Sequence, residues 1–117
     1  MPILEISHRS ELLRALQSNQ VVIIEYSDPE KDESKSFNRI IKMLSKYADP
    51  TILFLRINIK NSNISSELPR TPCIRVYYRG KVIFEQKDLF GKEDMDLYVL
   101  RRGIRSVFKT YNIPLRI

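Results

Sequence analysis

The chain has 117 residues, 43% of them apolar, and a formal charge of +6; it carries one cysteine (Cys73), one histidine (His8) and no tryptophan. This length suits one domain over residues 1–117, with a core that needs no disulfide or metal. A lone thiol excludes an internal disulfide, one histidine argues against a zinc centre, and no run approaches the ~18 apolar residues of a membrane span.

In chain order, Ile3 to Ile6 reads as a short edge strand. Ser7 or Ser10 can cap a helix with Leu12, Leu13 and Leu16 on one apolar stripe, ended at Ser18-Asn19-Gln20. Val21 to Tyr26 is nearly all apolar and β-branched, the pattern of a strand covered on both faces. Ser27 to Lys35 is a polar loop containing Pro29. It feeds a helix whose stripe is Phe37, Ile40, Ile41, Leu44 and Tyr47, closed by Asp49-Pro50. Ile52 to Ile59 is a second buried strand, interrupted by Arg56, and Lys60 to Ser66 has room for a short helical turn.

Pro69-Arg70-Thr71-Pro72 leads into a strand from Cys73 to Tyr78. A turn at Arg79-Gly80-Lys81 joins it to Val82 through Gln86, the strongest hairpin signal in the chain. After Gly91, a last helix runs from about Glu93 to Tyr111. Its acids Glu93, Asp94 and Asp96 come first and its arginines later, as the helix dipole favours. Leu97, Leu100, Ile104, Phe108 and Tyr111 form its inner stripe. Two strand–helix–strand units followed by a hairpin and a helix predict an α/β fold. Its sheet is mixed and five-stranded, with the 73–78 strand in the interior and helices on both faces.

Charge is uneven. Residues 101–117 carry Arg101, Arg102, Arg105, Lys109 and Arg116 with no acid, whereas Asp28, Glu30, Asp32 and Glu33 crowd one loop. With Tyr98 nearby, the basic helix is compatible with nucleic-acid binding, an aromatic among cations being suited to stacking on bases. No glycine-rich phosphate loop, metal-ligand cluster or serine–histidine–acid set is present, so neither cofactor nor metal is expected. No secretory leader pattern opens the sequence, and a cytoplasmic location is expected.

The element order, with Ile23-Ile24-Glu25-Tyr26, Leu55-Arg56-Ile57-Asn58-Ile59 and Thr71-Pro72 ahead of the hairpin, resembles the thioredoxin superfamily over nearly the whole chain. The resemblance implies that Glu25 takes the place of the family's buried acid, with Arg56 close enough to form a structural charge pair. It also implies that the Thr71–Pro72 bond is cis. The family's Cys-Gly-Pro-Cys falls on Lys31-Asp32-Glu33-Ser34, and neither cysteine position is a cysteine. Thioredoxin-type disulfide exchange, which needs an attacking and a resolving thiol, is therefore excluded.

The expected function is that of a noncatalytic binding or scaffold protein. The resemblance implies a peptide-docking edge at Arg70, Thr71, Pro72 and Cys73 for a protein or peptide partner, with the acidic loop selecting a basic one; self-association through an exposed strand edge is the closely related option. Nucleic-acid binding through Tyr98, Arg101, Arg102, Arg105 and Lys109 is the alternative, those four cations being expected largely in water. A single-thiol redox role for Cys73, helped by Arg70 and Lys31, is the third. A free cysteine also behaves as a small buried hydrophobe.

Overall fold

A computed structural model describes residues 3–60, 63–64 and 68–117. Its elements are β1 (Leu4–Ile6), α1 (Arg9–Ser18), β2 (Val21–Ser27), α2 (Glu33–Ser45), β3 (Leu53–Asn58), β4 (Cys73–Tyr78), β5 (Lys81–Gln86) and α3 (Glu93–Thr110). The strands form one sheet in the order β1-β3-β2-β4-β5. β3 runs parallel to β1 and β2, and the hairpin strands β4 and β5 are antiparallel. This is the mixed sheet that the pattern predicts, with β4 inside it. The helical turn expected within Lys60–Ser66 falls mostly outside the described residues.

Every residue of β2 is buried, because β2 lies at the centre of the sheet with helices on either side. Its alternate side chains feed two cores. Val21 and Ile23 join Phe54, Ile74 and Val76 beneath Phe37, Ile40, Ile41 and Leu44 of α2 and Leu97, Leu100, Ile104 and Phe108 of α3. Val22, Ile24 and Tyr26 join Leu55, Ile57, Cys73 and Tyr77 on the other face, where Leu12, Ala15 and Leu16 of α1 pack.

Three apolar residues predicted to face inward do not. Leu13 is exposed on α1, and Tyr47 and Tyr111 are exposed just beyond the ends of α2 and α3. The helical register that would aim the two tyrosines inward stops before reaching them. Ser7 and Ser10 do not cap α1 either. His8 holds the cap position, and the Glu11 carboxylate reaches back to accept the Ser7 and His8 N–H groups at 3.2 and 3.1 Å.

The hairpin turns on Arg79 and Gly80, both at positive φ (50° and 82°), while Lys81 already belongs to β5. Two positive angles in a two-residue loop match the twist of the strands they join. Gly103 explains how α3 approaches β5. A Cβ at this position would lie 2.6 Å from the Phe84 ring.

Candidate functional site

The β2–α2 loop opens with Asp28, whose N–H donates to Ser34 Oγ at 3.0 Å and whose carboxylate accepts the Glu30 N–H at 3.0 Å. Ser34, in the first turn of α2, is buried. Lys31 donates from Nζ to the Thr71 carbonyl oxygen at 2.8 Å. The two positions that a disulfide enzyme of this pattern would give to cysteine thus hold a serine that clasps the loop and a lysine that bridges to the segment before β4.

That segment carries the cis Thr71–Pro72 bond. Lys31, Glu33, Arg70, Thr71, Pro72, Lys87 and Asp88 line a groove of about 360 Å³. It is a strongly polar site that mixes the cations Lys31, Arg70 and Lys87 with the acids Glu33 and Asp88. Glu30 pairs with Lys60 at 3.2 Å and Asp32 lies 3.9 Å from Lys35, so these acids are matched outside the groove. Of the loop's four carboxylates, only Glu33 lines the groove. Arg70 pairs with Asp88 at 3.4 Å and Lys87 with Glu85 at 3.3 Å.

Cys73 begins β4 behind this groove, fully buried and outside its lining. Burial, reinforced by the nearby Glu85 charge, pushes its thiol up to about 12. Arg75 and Lys87 oppose that shift, and the Arg70 and Lys31 charges invoked for it in a redox role are not among the groups acting on it. A thiol so placed is protonated near neutrality, whereas the thiolate is the nucleophile.

Below the loop, Glu25 is fully buried and accepts from Arg56 Nε at 2.7 Å. With its amide nitrogen turned inward, Asn38 also donates to Glu25, and to the Ser34 carbonyl at 3.1 Å. Burial raises the Glu25 carboxyl to about 6 against the lowering effect of Arg56. Arg75 pairs with its cross-strand neighbour Glu85 and not with Glu25, and its guanidinium stands 5.8 Å from the Tyr26 ring centre. The sheet face around Arg75 and Tyr77 is only partly covered: both line a cavity of about 260 Å³ beside Leu12 and Leu16.

The basic residues of α3 divide. Arg101 is half-buried, with its guanidinium 3.8 Å from the Tyr47 ring centre. Together with Arg105 it donates to the Ile117 carbonyl oxygen, at 3.3 and 3.2 Å. The expectation that all four cations stand largely in water therefore fails at Arg101, because the segment after α3 folds back with Ile113 and Ile117 in the core. Arg102, Lys109 and Tyr98 are exposed. Among the described residues, no group of acids, histidines and cysteines could hold a metal, and no helix is long and apolar enough to cross a membrane.

From the sequence, Asp96 reads only as a partner for the helix dipole. Its carboxylate is buried and accepts the Phe90 and Gly91 N–H groups at 2.6 and 3.1 Å, fixing the β5–α3 connection. The one sequence signal for this is an acid in the first turn after a glycine.

Comparison with solved structures places the architecture. A thioredoxin from Malassezia sympodialis matches with a TM-score of 0.71 at 15% identity, over 90% of this chain and 90% of that one. The chain has the thioredoxin fold. Oxidised thioredoxin from Plasmodium falciparum matches with a TM-score of 0.68 at 13% identity, over 94% of this chain and 98% of its own. Mitochondrial thioredoxin 3 from Saccharomyces cerevisiae gives 0.67 at 17% identity, over 89% and 94%. No family model matches the chain, and no curated protein matches it in sequence. At these identities the likeness is one of fold. With one cysteine in 117 residues, this thioredoxin fold lacks the Cys-x-x-Cys pair, which argues against thioredoxin-type oxidoreductase activity.

Proposed function

We propose that this is a noncatalytic thioredoxin-fold binding protein that receives an extended segment of a protein partner along Arg70, Thr71 and Pro72, with Cys73 as the buried residue behind them. The observation that carries this reading is the groove itself. It is bordered by the main chain ahead of β4, while the neighbouring loop offers Lys31 and Ser34 in place of thiols. A main-chain carbonyl beside an open groove gives an extended peptide an acceptor to pair with. A cytoplasmic setting suits such a protein, whose single buried thiol leaves an oxidising compartment no pair to close.

The test is an amide NMR titration with a pool of extended peptides. Shifts at Thr71, Lys31 and Lys87 are expected, and shifts confined to other surfaces would remove the reading. The segment can belong to another protein or to a second copy. Sedimentation across a concentration series separates these, since self-docking makes the apparent mass rise with concentration.

A second reading, nucleic-acid binding through α3, is supported by the exposed Tyr98, Arg102 and Lys109, which share one helical face at spacings of four and seven. Arg101 and Arg105 are partly engaged with Ile117 and would contribute less. If phosphates are bound here, an Arg102→Ala, Lys109→Ala variant should show a shallower salt dependence, by about one unit of slope per lost contact. An unchanged slope would exclude this helix as the phosphate site.

A further inference from the structure

Lys31 differs from the other cations around the groove. Lys35, Lys60, Arg70 and Lys87 each have a carboxylate within ion-pair distance. Among the described residues, Lys31 has none, although Glu33 shares the groove with it, and its ammonium rests on the Thr71 carbonyl. That oxygen is the acceptor an extended segment lying along residues 70–72 would need for its own N–H.

A carbonyl oxygen accepts up to two hydrogen bonds, and a segment that takes the position the ammonium holds exchanges one for the other. A neutral peptide replaces a charge-assisted bond with a weaker neutral one and returns the ammonium to water. A peptide with an aspartate or glutamate at the crossing point supplies a carboxylate to the ammonium as its N–H takes over the carbonyl. Both groups at the gate then remain bonded. We propose that Lys31 is a latch on this groove that selects extended partners carrying an acidic side chain, reversing the basic preference expected from the loop's composition. This proposal rests on the peptide-docking reading above.

The test presents a display library of random seven-residue segments to the full chain and to its Lys31→Met form, with Lys31→Gln as a second variant should the first fold poorly. Acidic residues should be enriched on the unmodified protein. A pair of selected peptides differing only by Glu against Gln should show a preference of about fivefold, the worth of one net hydrogen bond. In Lys31→Met the preference should fall to near unity, with the Gln peptide binding as well as before or better. The Thr71 carbonyl carbon shift should move in the variant without any peptide present. Peptides that shift the Thr71 amide without an acidic preference, or with one that survives Lys31→Met, would overturn the latch and leave docking intact. No enrichment on either protein, or binding that leaves the Thr71 amide unmoved, would overturn docking and the latch with it.

Discussion

On the α2–α3 side, the sheet presents Val21, Ile23, Phe54, Ile74 and Val76, all fully buried, and both helices drive buried stripes into them. On the α1 side, no residue of the covering helix is buried. The sheet there carries two phenols, whose hydroxyls meet at 2.6 Å, and a guanidinium beside a cavity of about 260 Å³. The sheet residues Val22, Ile24, Leu55 and Ile57 are buried here too, so the two sides differ in their covering helices: α1 buries no residue of its own and leaves a cavity at its edge. Most of the stability should therefore reside on one side, which leaves the other freer to vary.

The most direct way to break this comparison is to truncate one leucine on each side. Leu100→Ala, beneath α3, should cost about 2–5 kcal/mol, whereas Leu16→Ala on α1 should cost about 1 kcal/mol. Equal losses in chemical denaturation would show the two faces to be equivalent.

Glu25 sharpens the contrast, because it puts a charge at the head of the α2–α3 face, in register with Ile74. Folding raises its carboxyl from an ordinary 4.5 to about 6 through burial. The folded chain thus binds this proton more tightly than the unfolded one. Its contribution is fully present below about pH 4.5, and about 2 kcal/mol is lost as pH rises through 6. Glu25→Gln should remove that slope in a pH series of denaturation curves; a slope that persists would assign it to another group.

The smallest effect belongs to the α1 face. Tyr77→Phe leaves the buried Tyr26 hydroxyl without its partner and should cost about 1 kcal/mol. A loss above about 3 kcal/mol would mean that the α1 face is as closed as the other.

What the sequence made legible follows the same division. The unbroken apolar run of β2, the stripes of α2 and α3 and the hairpin signal each report burial or turning over consecutive residues, and they define the architecture. Periodicity cannot place Tyr47, Tyr111 and Leu13, because it gives the phase of a helix but not where it frays or how much cover it meets. The Arg75–Glu85 pair depends on strand register, and the bridge from Lys31 to Thr71 spans forty residues of chain. Spacing along one sequence contains no information about such contacts. The missing cysteines were plain from composition; what stands in their place was not.

The side chains at positions 31 and 34 also bear on any attempt to engineer redox activity into this scaffold. Placing cysteines there would do more than add two thiols. The Asp28 N–H would exchange a hydroxyl acceptor for a weaker sulfur one, and the Thr71 carbonyl would lose its ammonium donor. The loop would be loosened at the very point where a nucleophile has to be held in place. A redox design would therefore need a new clasp for Asp28 before it needed a disulfide.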